Sequence, residues 1–210
     1  MQRNYTLVIG DKNLSSWSLR PWIAMKQAGI EFDEVKILLD RPDTAAEIRK
    51  YSPSGLVPCL LDGDLAVNDS LAIVEYLADR HPDKALWPED IETRARARSV
   101  AAEMHSGFAS LRAHWPMAFA ETRALSPTEA VARDVARIDE IWSDCRAKAG
   151  GGDFLFGAFT IADAMYAPVV SRFLTYSAQG LSEASRAYME AMQSLPAWRE
   201  WGEGAAAELR

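Results

Sequence analysis

The stretch Ser54-Gly55-Leu56-Val57-Pro58-Cys59-Leu60-Leu61-Asp62-Gly63-Asp64-Leu65-Ala66-Val67-Asn68-Asp69-Ser70 decides how the rest of the chain is read. Cys59-Leu60-Leu61 and Leu65-Ala66-Val67 are short apolar runs, and Asp62-Gly63-Asp64 supplies a tight turn between them. Asp69 or Ser70 then caps a helix with Leu71, Val74, Leu77 and Ala78 on one face. Pro58 at the head of a strand cannot donate to the ladder, which leaves the N–H and C=O of Val57 free to pair with something else. A cis Val57-Pro58 bond would turn that backbone into an edge for a peptide-like ligand. The helix start just beyond the hairpin offers N–H groups and a positive dipole end to an anion. An edge beside a carboxylate trap suits a short acidic peptide. An ordinary hairpin followed by a capped helix fits the same residues.

The totals narrow the field. A chain of 210 residues can form one large domain or two modest ones and bury a sizeable core. Hydrophobic residues make up 49% and charged residues 25%, and no apolar run approaches membrane-spanning length. Met1-Gln2-Arg3-Asn4 leads straight into strand-like Tyr5 to Ile9 without a leader pattern, so a cytoplasmic protein is expected. A net charge of −7 argues against nucleic acid or an anionic membrane as partner. Any anionic ligand must then be held by local donors. Cys59 and Cys145 lack metal-like spacing, and His81, His105 and His114 form no cluster, so no metal is expected.

In order, Tyr5 to Ile9 reads as a strand and Ser15 to Gly29 as a helix with hydroxyl residues at its head and glycine at its end. Pro21 belongs in a first turn, which puts the regular helix start near Ser18. Glu31 to Leu39 reads as a second strand and Pro42 to Tyr51 as a weak helix. These elements and the hairpin make a small α/β unit, 1–81. His81-Pro82-Asp83 ends it, and 82–92 reads as a linker. From residue 93 to 210 no convincing strand appears. Thr93 to about Ala124 reads as one long helix bent near Pro116, and Ser126-Pro127-Thr128-Glu129 as a capping box. A second box, Thr160-Ile161-Ala162-Asp163, opens the apolar helix to Tyr176, and helices over Ser182 to Gln193 and Pro196 to Leu209 follow.

Three stretches in this order resemble the cytosolic glutathione transferases across nearly the whole chain. They are Ser15-Ser16-Trp17-Ser18-Leu19-Arg20, Val57-Pro58 with Asp69-Ser70, and Phe156-Gly157 with Thr160-Ile161-Ala162-Asp163. The first looks most like the serine-type start of zeta-like and related bacterial members. The resemblance implies a thioredoxin-like N-terminal domain, an all-helical domain, a homodimer, and glutathione as co-substrate with a small hydrophobic electrophile. It implies that Ser15, with Ser16 next, donates to the glutathione sulfur, since a thiol of pKa about 8.5 is mostly protonated at neutral pH. Residue types alone allow the other reading, that Ser15, Ser16 and Ser18 merely cap the helix.

By the same resemblance Val57 and Pro58 hold the peptide backbone, Ser70 the γ-glutamyl carboxylate and Asp69 the γ-glutamyl amine. Arg20 is either a second electrostatic support or a member of a buried structural pair. Leu56 falls at the binding loop where many relatives carry a polar or basic side chain, with Lys12, Arg41 or Arg49 as possible replacements. No cysteine stands between Ser15 and Arg20, so thiol–disulfide exchange is disfavoured, and Trp17 stands where the zeta pattern has cysteine, which counts against an isomerase of that type. Conjugation leads; a maleylacetoacetate-type isomerase and a non-catalytic binding module are the alternatives. Met104, Phe108, Leu111, Trp115, Met117, Phe119, Phe173 and Tyr176 could line an electrophile pocket or form core, and His105 and Arg112 could share a helix face towards the cleft.

Overall fold

The computed structural model describes residues 4–210, so the start Met1–Arg3 lies outside the described residues. Four strands, β1 (Tyr5–Ile9), β2 (Phe32–Lys36), β3 (Cys59–Asp62) and β4 (Leu65–Asn68), form a sheet of order β2-β1-β3-β4. β1 pairs parallel with β2 and antiparallel with β3, and β3 turns back on β4 through Gly63, whose φ of 61° suits glycine. Period-two alternation sends Leu7, Ile9 and Leu60 into the main core, while Val8 and Cys59 meet Ile37 and Ile48 on the other face. Helices α1 (Ser16–Ala28) and α3 (Ser70–Arg80) cover the first face, and α2 (Thr44–Arg49) covers the second.

Every further element among the described residues is helical: a 3-10 turn at Pro82–Lys84, then α4 (Ile91–Ser106), α5 (Ala109–His114), α6 (Glu129–Ala149), α7 (Ile161–Thr175), α8 (Glu183–Ser194) and α9 (Pro196–Ala207). α7 is buried along almost its whole length and packs against both α1 and α4. One hydrophobic core therefore runs from the sheet, through Trp22 and Tyr166, to Trp201.

Four expectations are corrected. α1 begins at Ser16 and carries Pro21 in its second turn, losing one amide bond that packing against α7 outweighs. The helix expected from Thr93 to Ala124 breaks at Gly107-Phe108 and ends at His114, before Pro116. A Cβ at Gly107 would lie 2.7 Å from the carbonyl of Glu103, Phe108 takes a left-handed φ of 56°, and Asp134 then accepts the Leu111 N–H to start α5. The box at Ser126–Glu129 does not form; Thr128 is the cap, accepting the Val131 N–H, and the Ser126 carbonyl faces His114. The second strand is shorter than expected, with Ile37 and Leu39 beyond its end. The Thr160–Asp163 box is present.

Candidate active site

The turn from β1 into α1 is built around three serine hydroxyls, and none of them caps the helix. Ser15 occupies the cap position without a capping bond, and its Oγ lies 2.7 Å from Ser18 Oγ. Ser18 Oγ also accepts the Gly10 N–H at 3.1 Å. Having accepted there, the Ser18 hydroxyl can donate to Ser15, which leaves the Ser15 proton available for a third group. Ser16 Oγ accepts from Arg172 at 3.3 Å. All three serines are buried at the positive end of α1.

Beside them lies an unusual concentration of cations. Arg20 is fully buried, donates from Nε to the Met165 carbonyl at 3.2 Å, and has no partner for Nη1. Its guanidinium stacks 4.1 Å from the centre of the Trp17 ring. Arg112 approaches the same ring at 5.6 Å and donates to the Met104 carbonyl. Arg172 donates to the carbonyls of Trp115 and Pro168. Among the described residues these guanidiniums are directed at carbonyls, a hydroxyl and an indole face, and none forms an ion pair. Burial first, then the neighbouring Arg172 and Arg112, pulls Arg20 down to about 9. Burial and Arg112 pull Arg172 down to about 10. Arg20 is thus buried and bonded to backbone, with no ion pair among the described residues.

His105, from α4, completes this wall. Its ring meets Trp17 edge-on at 5.4 Å, Nε2 lies 3.2 Å from Asp69 Oδ2, and Nδ1 is buried without a partner. His105 and Arg112 thus converge on Trp17, although the helix break between them, not a shared helix face, brings them there.

The binding-loop residues lie on the adjoining edge. The Val57-Pro58 bond is cis, and neither the N–H nor the C=O of Val57 enters a backbone hydrogen bond among the described residues. Asp69, at φ 77°, caps α3 by accepting the N–H groups of Leu71 and Ala72. Ser70 is the first residue of α3, and its Oγ is buried and unpartnered. Leu56 is 68% exposed and adds no polar group to this loop. Of its proposed replacements, Arg49 lies beside Gly55, Arg41 is exposed, and Lys12 is locked elsewhere by Glu34 at 2.9 Å and the Trp22 and Trp201 rings.

The expected pocket residues Met104, Phe108, Leu111, Trp115, Met117, Phe173 and Tyr176 are buried in the core, and Phe119 packs against it. Burial raises both thiols, Cys145 to about 11, which fits core residues and not nucleophiles. Sequence reasoning missed Arg172 and the backing role of Ser18. A lone arginine inside the apolar run from Ala164 to Tyr176 was the available signal for the first. Among the described residues no group of three His, Cys, Asp or Glu could hold a metal, and no helix is long and apolar enough to cross a membrane.

A thioredoxin-like half joined to an all-helical half, with a cis-proline loop and serines at the head of α1, defines a class of fold that the comparisons with known proteins identify. Residues 14–80 match the family model for the glutathione S-transferase N-terminal domain, and residues 128–202 match that for the C-terminal domain. Glutathione S-transferase Z2 of Arabidopsis thaliana is 29% identical over 163 residues, 74% of this chain and 71% of that protein. A probable maleylacetoacetate isomerase of Caenorhabditis elegans is 32% identical over 46% of this chain and 44% of its own. A Burkholderia glutathione transferase homologue, solved with bound glutathione, has the same fold, with a TM-score of 0.71 at 22% identity over 97% of this chain and 98% of the other. The chain belongs to the cytosolic glutathione S-transferase family, on its zeta-like side.

Proposed function

We propose that the protein is a glutathione transferase in which Ser15 donates its hydroxyl proton to the glutathione sulfur and stabilises the thiolate. The observation that carries this is the hydroxyl pair at the head of α1. Ser15 makes no capping bond, and because Ser18 accepts Gly10 N–H and can donate to Ser15, the Ser15 hydroxyl is free to donate to the sulfur. A hydroxyl donor and a helix N-terminus both favour the anion, which lowers the thiol pKa and raises the nucleophile's concentration at neutral pH. Glutathione fits the remaining groups. The free backbone of Val57 can pair with its cysteinyl unit, the orphaned Ser70 Oγ can donate to the γ-glutamyl carboxylate, and Asp69 can receive the amine.

In this reading 1–81 binds glutathione, 82–92 links, and 93–210 provides the electrophile side, with Trp17, His105 and Arg112 on the shared wall. Homodimer formation, a cytoplasmic location and a detoxifying role belong to the same proposal; light scattering tests the first. One observation favours a second reading. Arg20, Arg112 and Arg172 gather with no ion pair among the described residues, an environment that attracts a carboxylate-bearing substrate, as a maleylacetoacetate-type isomerisation would require. Steady-state assays of a panel of neutral and acidic electrophiles decide between these readings. Conjugation consumes glutathione stoichiometrically and isomerisation returns it. Neither reaction from a folded protein that binds glutathione would leave only a binding module.

A further inference from the structure

The loop that presents Ser15 is held from outside the thioredoxin-like half. Two successive backbone N–H groups, of Lys12 and Asn13, donate to the two oxygens of Glu208, at 3.0 and 2.9 Å. The Lys12 carbonyl accepts the Trp201 indole N–H at 2.8 Å, and the Asn13 carbonyl accepts the Phe119 N–H at 3.0 Å. The Asn13 side chain accepts the Ala120 N–H and donates to Glu121. Every backbone polar group of Lys12 and Asn13 is thus satisfied by the helical half. The fit is close: a Cβ at Gly204 would lie 2.6 Å from Lys12 Cδ. Asp11, one residue earlier, accepts the Ser15 N–H through its carbonyl at 2.8 Å, so the loop's path fixes where the serine stands.

We infer that Glu208, at the end of α9, is a positioning residue for Ser15. A carboxylate receiving two adjacent N–H groups fixes the plane of the peptide between them. Two residues on, a displacement of the loop becomes a displacement of the hydroxyl that must meet the sulfur. The inference rests on Ser15 as thiol donor, and its test separates the two ideas.

Three variants are compared with wild type: Glu208→Ala, Glu208→Gln, and Lys36→Met, which removes only the exposed ion pair on Glu208. Hydrogen exchange at the Lys12 and Asn13 amides, measured without glutathione, reads the latch itself. The pKa of bound glutathione and the kcat–KM split read its consequence. Expected for Glu208→Ala is faster exchange at both amides, a kcat lower by about tenfold with KM for glutathione nearly unchanged, and a bound-thiol pKa moved towards that of free glutathione. Glu208→Gln, keeping one carbonyl oxygen, recovers part of each change, and Lys36→Met leaves all three as in wild type. Faster exchange with unchanged kcat and thiol pKa would reduce Glu208 to a structural contact and overturn the inference, as would unchanged exchange. A wild-type protein that leaves the thiol pKa unshifted overturns the Ser15 reading instead.

Discussion

The two ends of α7 bury polar groups in opposite ways. At its start, Asp163 is fully buried, and one carboxylate receives the Leu155 N–H, the Thr160 N–H and the Thr160 hydroxyl at 2.8 to 3.0 Å. Near its end, Arg172 gathers with Arg20 and Arg112, and Arg20 Nη1 has no hydrogen-bond partner among the described residues. The first end satisfies its donors, joins the 155–160 loop to the helix, and carries negative charge where the helix dipole favours it. The second end leaves buried cations without an ion pair among the described residues, beside Ser16 and the Trp17 ring. Groups whose task is stability are closed off by their own neighbours. In the function proposed above, the open groups of the second end are the ones that a ligand would satisfy.

The sharpest break of this comparison is at Asp163. Replacing it with alanine leaves two buried N–H groups unpaired, each worth about 1–3 kcal/mol, so a loss of roughly 3–5 kcal/mol is expected in denaturant unfolding. Asp163→Asn keeps one acceptor and should lose less. Neither change should alter the bound-thiol pKa of the protein that remains folded. Loss of activity with stability intact would remove the contrast between the two ends.

Arg20→Met asks the opposite question. The replacement removes an unpaired buried charge while retaining an unbranched side chain, so stability should stay within about 1 kcal/mol of wild type or rise. Turnover should fall by about tenfold as the cleft loses positive potential. A strong loss of stability would show Arg20 to be structural only.

A pH experiment sharpens the same contrast. Burial outweighs the donors around Asp163 and raises its carboxyl to about 6. A group that holds its proton more tightly when folded stabilises the fold below its ordinary pKa, and that contribution is lost as pH rises through about 6. The stability gap between wild type and Asp163→Asn should therefore widen on going from neutral pH to about pH 4. A constant gap would mean that Asp163 is not desolvated as described.

The smallest effect is expected at His105. His105→Gln retains a polar group near Asp69 but loses the edge contact with Trp17. KM for glutathione should rise by a few-fold, about 1 kcal/mol, with little change in unfolding. An unchanged KM would place His105 outside the binding wall.

Much of the architecture was legible. The hairpin at Asp62-Gly63-Asp64, the box at Thr160–Asp163 and the glycine end of α1 are local signals, set by turn chemistry and caps that need no partner elsewhere. Errors came where tertiary contact overrode a local rule. Pro21 is carried inside α1 because that helix is packed against α7, and Gly107-Phe108 breaks a helix that Pro116 had seemed to bend. For the site, it was the resemblance to the family that singled out the Ser15-Ser16 pair and the Val57-Pro58 loop, since residue types alone also fitted helix caps and an ordinary hairpin. No local signal announced the partnerships that define their roles. Arg172 meets Ser16 across 156 positions and Glu208 meets Asn13 across 195, distances at which a single sequence carries no pairing signal. The serine turn was visible; its supports were not.

The central claim is that Ser15 lowers the pKa of bound glutathione. It is tested most directly by ultraviolet titration of the thiolate bound to wild type and to Ser15→Ala, with Ser16→Ala alongside. The expected result is a bound-thiol pKa well below about 8.5 in wild type, restored towards that value in Ser15→Ala and kept low in Ser16→Ala. An equally low pKa in Ser15→Ala, or one restored only in Ser16→Ala, would contradict the assignment.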